Sequence, residues 1–273
     1  MLQTVPFPPL PEWLPIESEN RPIALRVFGG DMRDLAVEFA GVERARLVTS
    51  LLARCSQTRS GSAPPEQAIW ELPIGTRIEA IVALAGGPSG RPLAWWVRCS
   101  GCGAESELEL QPAEIAALAA EAYRERLVPV KIGERAAWLR RPTGADQRLW
   151  LEGGSDGAAP MAAILFVDPA FEELREAGIA LDEIGDSIDQ AMEEYDPLVG
   201  FHLDVGCPEC GRPTAQAPDL LAGALERLWQ AQFDLIGQVH RLAGQYHWSE
   251  DEIARLPEWR RQAYLACIDG GEL

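Results

Sequence analysis

Two cysteine pairs, Cys99-Ser100-Gly101-Cys102 and Cys207-Pro208-Glu209-Cys210, constrain this chain more than any other feature. Each is followed at once by a glycine, Gly103 and Gly211, and each is preceded by an apolar, strand-like run. Trp95-Trp96-Val97-Arg98 leads into the first pair and Phe201-His202-Leu203-Asp204-Val205 into the second. A strand ending in C-x-x-C-G reads as a zinc knuckle: the tight turn aims two thiolates at one point, and the glycine lets the backbone fold beneath them. Together, Cys99, Cys102, Cys207 and Cys210 make a tetrahedral donor set for one structural zinc per chain. The 104 residues between Cys102 and Cys207 are far more than a compact ribbon contains, but loop-closure entropy grows only slowly with length.

Four thiolates leave no open coordination position, so this metal would offer neither an activated water nor a Lewis-acid face. Its work would be to join two distant parts of the chain. Iron fits the same ligand type. A dithiol oxidoreductase is a competing reading of Cys207-Pro208-Glu209-Cys210, although two matched pairs on strand ends favour metal. Disulfides fit less well, because Met1 to Pro15 shows no basic leader pattern and Cys55 and Cys267 stand alone in apolar surroundings. The expected setting is therefore a reducing cytoplasm.

The charge balance narrows the partners. Forty-two acidic residues oppose 24 basic ones, a net charge of −18, and Lys131 is the only lysine. Phosphate binding needs a basic footprint, so a zinc-ribbon nucleic-acid module is disfavoured and a protein partner favoured. No apolar run approaches the roughly 20 residues of a membrane span. Residues 168–196 hold eleven acidic side chains and one arginine, Arg175. They lack calcium-loop spacing and read as a solvated or partner-facing helical surface.

Along the chain, residues 1–22 carry six prolines and read as an extended arm with Trp13 and Leu14 as anchors. Helical patterns are expected over 40–53, 76–85 and 112–127, the last opened by Pro112. A β-hairpin is expected over 128–139 with its turn near Gly133, and another helical stretch starts within 139–147. The strongest helix is expected over 218–245, where Ala224, Leu228, Ala231, Leu235, Val239 and Leu242 form one apolar stripe. Ser249-Glu250-Asp251-Glu252 is a capping box that opens a short helix ending at Pro257, and Glu258 to Ile268 is a terminal helix.

No catalytic constellation emerges. His202, His240 and His247 are the three histidines, and none belongs to an H-E-x-x-H; no G-x-S-x-G elbow, Walker loop or dinucleotide fingerprint is present. His202 lies beside the second knuckle, but four cysteines already fill a zinc site. The chain reads as a non-enzyme without a small-molecule substrate.

The C-terminal stretch Val239-His240-Arg241-Leu242-Ala243-Gly244-Gln245-Tyr246-His247-Trp248-Ser249-Glu250-Asp251-Glu252-Ile253 is distinctive. So is its continuation through Leu256-Pro257, Arg260-Arg261 and Tyr264-Leu265. It resembles a segment of small contractile-tail proteins, and three further pieces resemble the T4-type phage baseplate hub assembly family. These are Leu72-Pro73-Ile74-Gly75-Thr76-Arg77, the stretch from Leu139 to Gln147 with Arg141-Pro142-Thr143 and Asp146, and Glu194-Tyr195-Asp196-Pro197-Leu198. The resemblance covers roughly residues 40 to 267. It implies a structural or assembly protein of the baseplate hub of a contractile tail or a phage-derived injection system. Its partners would be hub or tail proteins of the same particle, in which it could be retained. That family has no catalytic residues to carry over, and many of its members have paired C-x-x-C knuckles. Tyr246, Trp248, Trp259, Arg260 and Arg261 are the candidate partner face, since aromatics and arginines dominate protein interfaces; alternatively Trp248 and Trp259 fill the joint between two helices.

The expected fold is α+β and helix-dominated, with a small β zinc ribbon formed by the two distant knuckles. Residues 1–22 form the arm and 23–92 an N-terminal helical region. Residues 93–217 are a split ribbon, its knuckles in 93–112 and 199–217 and a helical and hairpin insertion in 113–198. Residues 218–273 are a C-terminal helical region.

Overall fold

A computed structural model describes residues 3–123, 125–152 and 158–270. The chain is α+β, with helices dominating and only small antiparallel sheets. Strands β1 (Thr4–Pro6), β2 (Pro22–Arg26) and β3 (Ser56–Thr58) form one sheet in that order. Helices α1 (Arg44–Cys55), α2 (Glu66–Trp70) and α3 (Ile74–Gly86) build the first body around it. Strands β4 (Leu93–Arg98) and β5 (Glu105–Leu110) form a hairpin, followed by α4 (Pro112–Ala122). Then come β6 (Leu127–Ile132), β7 (Arg135–Arg140), α5 (Gly144–Glu152), α6 (Ala158–Leu165), β8 (Phe166–Asp168), α7 (Phe171–Glu176) and α8 (Leu181–Tyr195). A second short hairpin, β9 (Leu203–Gly206) and β10 (Pro213–Gln216), precedes α9 (Leu220–Tyr246), α10 (Glu250–Ala254) and α11 (Glu258–Ile268).

The proline-rich start lies on the body of the protein, with Leu14 buried and Trp13 packed against the first core. Thr4–Pro6 pairs with β2, and Val5, Phe7, Leu14 and Ile16 are buried in the first core. Prolines remove backbone donors, and Arg21 supplies donors in their place. Its guanidinium donates to the carbonyls of Leu10, Pro11, Glu12, Leu14 and Ile16 at 3.0–3.3 Å. A single arginine thus sets the course of a segment that has no ladder of its own between β1 and β2.

The first core combines that arm with α1, α3, α4 and the front half of α9. Helix α9 is roughly 40 Å long at about 1.5 Å per residue. Asp219 caps it by accepting the Ala222 N–H at 2.8 Å, and Leu220, Ala224, Leu225, Leu228, Gln232, Leu235 and Leu242 are its buried positions. Gln232 is polar because it serves the N-terminal region: its amide donates to the carbonyls of Asp34 at 2.7 Å and Val37 at 2.8 Å. Asp34 is itself held by Arg26, at 2.6 and 3.0 Å, in a fully buried pair.

A second core lies wholly between the cysteine pairs, from Val128 to Met192. The β6–β7 hairpin turns at Gly133, in the left-handed region at φ 56° as its position predicted, and β8 extends the sheet. Helices α6 and α8 cover it; α8 buries Ile184, Ile188, Ala191 and Met192 while its acidic residues remain outside. Leu127, expected at the end of a helix, is instead the first residue of β6. Helix α4 stops at Ala122, and its Ile115 and Ala119 belong to the first core.

Candidate metal centre

Both C-x-x-C-G segments fold into the same turn. In the first, the Cys99 N–H donates to the Ala104 carbonyl and the Gly103 N–H to the Cys99 carbonyl, both at 2.9 Å. In the second, the Cys207 N–H donates to the Arg212 carbonyl and the Gly211 N–H to the Cys207 carbonyl, again at 2.9 Å. Gly103 at φ 76° and Gly211 at φ 70° occupy a conformation that a side chain disfavours. The two knuckles share the same backbone turn bonds and are joined to hairpins β4–β5 and β9–β10.

The turns face each other. All four Sγ atoms lie within 4.8 Å of one another. Two close approaches cross between knuckles, Cys102 to Cys207 at 3.6 Å and Cys99 to Cys210 at 3.8 Å. Thiolates about 2.3 Å from one tetrahedral ion stand about 3.8 Å apart, so the donor set fits zinc in both chemistry and span. A disulfide needs sulfurs about 2 Å apart, and all six cysteines are free thiols.

Around the sulfurs, the Gly101 N–H donates to Cys99 Sγ at 3.3 Å and the Thr214 hydroxyl lies 3.6 Å from it. The Cys102 amide, with Thr214 and Gly101, holds the Cys99 thiol down to about 6. The Ala104 amide pulls the Cys102 thiol the same way, but hydrogen bonds with Cys207 and Cys210 overcome it and push it up to about 12. Thiols packed this closely without a cation share protons instead of ionising together. A divalent ion would replace those protons and draw the four sulfurs in as thiolates.

The centre is tied to the body. Arg212 of the second knuckle packs so closely over Gly101 of the first that a Cβ there would lie 2.9 Å from its Cδ. Trp95 of β4 packs against Gly223 of α9, where a Cβ would fall 2.9 Å from the indole ring. Arg227 donates to the carbonyls of Arg91, at 3.0 Å, and Pro92. A metal at this point would therefore fix the start of α9 against β4. Cys99 and Cys207 are buried, and Cys102 and Cys210 face solvent. His202 lies outside the cluster, paired with Glu193 at 3.1 Å on the surface.

Three internal segments, around Pro73, Thr143 and Asp196, meet at a second place. Pro73 and Thr143 form an isolated bridge, the Ile74 N–H donates to the Pro142 carbonyl, and the Gly144 N–H donates to the Leu72 carbonyl. Tyr123 Oη donates to Asp196 Oδ1 at 2.8 Å, and Arg141 approaches Asp196 Oδ2 at 3.4 Å. Arg141 also donates to the carbonyls of Ala122, Glu125 and Tyr195. Burial pushes the Asp196 carboxyl up despite Arg141. This network was not among the expected functional residues; the signal that pointed to it was the set of quoted segments, without their meeting point.

The expected partner face divides. Tyr246, Trp248 and Tyr264 make a half-buried aromatic cluster, with Trp248 stacked on Tyr246 at 4.7 Å and edge-on to Tyr264 at 4.9 Å. Trp248 therefore fills the joint between α9 and α11. Trp259 does not; it is 71% exposed. Arg260 is exposed beside it and donates to Tyr264 Oη at 3.0 Å. Arg261 is a correction: it is only 4% exposed, donating to the carbonyls of Leu256 and Gly30, and its place is inside the joint. Its guanidinium satisfies the loop end of α10 and ties α11 to the N-terminal region.

The fold and the site define an α+β protein organised around a four-cysteine centre able to hold a metal ion. Comparison with protein-family models, curated proteins and solved structures finds no match for this chain. Among the described residues no helix is long and apolar enough to cross a membrane.

Proposed function

We propose that the protein is a non-catalytic structural or assembly component of the baseplate hub of a contractile tail or related injection system, held rigid by one structural zinc. The observation that carries the scaffold reading is the four-sulfur cluster, which brings thiols of both knuckles to one point. A redox dithiol works through the two sulfurs of one C-x-x-C; here the sulfurs pair across the knuckles as ligands of a shared ion do. The baseplate part rests on the family resemblance of the quoted segments. Its support from packing is that three of them adjoin one buried network in place of scattered surface loops. Exposed Trp259 and Arg260 are the outward part of the C-terminal motif and the proposed contact to a neighbouring hub protein in the bacterial cytoplasm.

The test is deletion of the gene in a strain that makes the particle, with tails inspected by negative-stain electron microscopy. Tails without complete baseplates are expected, and restoration by the wild-type gene. Normal particles in the deletion strain would overturn the role. Elemental mass spectrometry of the purified protein tests the metal separately, with about one zinc per chain expected.

A further inference from the structure

We propose that the groove between α4, the β6–β7 hairpin and the end of α8 is a docking site for a basic amphipathic helix of a partner protein. The proposal deepens the assembly reading by naming the partner's chemistry, and it rests on that reading. The groove has a volume of about 1160 Å³ and an apolar floor of Leu118, Leu127, Pro129, Trp138, Tyr195 and Pro197. Leu118 and Trp138 are 45% and 43% exposed there, two large apolar side chains left facing water.

Size and charge select the occupant. A volume of 1160 Å³ exceeds the usual small-molecule range of roughly 300–1000 Å³. With side chains, a helix about 10–12 Å across that rises about 1.5 Å per residue fills such a space with roughly eight residues, or about two turns. Among the described residues, Glu125, Asp168 and Glu194 stand along the groove as exposed carboxylates, with Arg126 as the exposed cation opposing them. The second lining arginine, Arg141, is buried and committed to Asp196 and three carbonyls. An apolar floor with an acidic rim, on a chain of net charge −18, complements a helix that presents apolar residues at i, i+3/i+4 and i+7 flanked by lysine or arginine.

The floor is also placed to matter. It spans the junction of the two cores, from Leu118 on α4 of the first body to Trp138 of the second, directly over Arg141. A helix seated there would touch both bodies at once.

The experiment uses the full chain and a fluorescein-labelled model peptide of roughly 14 residues, leucine and alanine at helical spacing with lysines on the flanks. A second peptide replaces every lysine with glutamate. Anisotropy titrations should show saturable binding of the lysine peptide that weakens with salt, and none of the glutamate peptide. Leu118→Arg and Trp138→Ala should each weaken binding by roughly tenfold or more, the scale of losing an interface anchor. Glu194→Lys, an exposed rim change outside the floor, keeps the test valid should a floor variant fail to fold. Absence of binding, equal binding of both peptides, or binding unchanged in Leu118→Arg and Glu194→Lys would each overturn the groove. The deletion phenotype is independent of these outcomes, so failure of the groove and failure of the baseplate role are told apart.

Discussion

The sulfur of Cys102 stands 3.6 Å from that of Cys207, a residue 105 positions further along the chain. Between them the chain completes a second hydrophobic core of its own, from Val128 to Met192. The knuckles thus close over a folded body, and the entropy of a 104-residue loop is offset by that body's own folding, so a metal bound here would not have to offset it alone.

Removing one sulfur tests the closure. Cys207→Ser is expected to lower zinc well below one per chain and to expose the amides of β4, β5, β9 and β10 to hydrogen exchange. Amides of α1 and of the β6–β7 hairpin should keep their protection, because their cores do not touch the sulfurs. Unchanged zinc content and thermal stability would disprove the shared site.

Metal binding should release protons. With the Cys102 and Cys210 thiols both pushed up and the Cys99 thiol held down to about 6, a divalent ion bound by four thiolates would displace more than one proton per chain at pH 7. Its apparent affinity therefore falls as pH falls. Calorimetry in two buffers of different ionisation enthalpy measures the number directly, and a release below one proton would contradict the four-thiolate centre.

Glu79 is buried in α3 at 7% exposure, and desolvation raises its carboxyl to about 7. A raised folded-state value means the native protein binds more protons than the unfolded chain. Stability from this residue is then full below about pH 4.5 and is lost as pH rises through about 7. Glu79→Gln should leave stability near pH 4 almost unchanged and raise it by about 3 kcal/mol at pH 8. Denaturant titrations at the two pH values decide, and a pH-independent difference would place the cause elsewhere.

Gly75 makes room for the Tyr123–Asp196 bond. A Cβ there would lie 1.8 Å from Tyr123 Oη and 2.4 Å from Asp196 Oδ1. Gly75→Ala is expected to destabilise by about 2–4 kcal/mol through loss of a buried hydrogen-bonded network. Gly237→Ala on α9, with nothing within 4 Å of its Cβ, should be neutral or stabilising by up to about 1 kcal/mol. Similar melting temperatures for the two variants would refute this reading of Gly75.

In the terminal motif, Trp248→Ala should cost about 2–3 kcal/mol of stability, because its ring completes the cluster with Tyr246 and Tyr264. Trp259→Ala should change stability by less than about 0.5 kcal/mol while reducing capture of hub proteins by the tagged chain. Loss of stability in Trp259→Ala with capture intact would remove it from the partner face.

The knuckles, the stripe of α9, the Gly133 hairpin and the capping box at Ser249 were all legible in the sequence. Each is a local pattern whose cause lies within a few residues: a glycine with positive φ, an apolar repeat near 3.6, a hydroxyl three residues before a carboxylate. The path of the proline arm was not legible, because it is set by pairing with β2 and by the guanidinium of Arg21 reaching back to carbonyls 5–11 residues earlier. The end of α4 was misread because helical composition continues past Ala122 while Leu127 is claimed by strand pairing. Arg261 looked like an interface residue by type, yet its donors serve carbonyls as far away as Gly30. The sequence alone determined which four residues carry thiols in knuckle form and where the local elements begin. Only the tertiary structure decided that the two knuckles meet, that three separated segments adjoin one Asp196–Arg141 network, and that Trp248 turns inward while Trp259 does not. Those outcomes depend on contacts between residues far apart in the chain, whose energies no local window contains.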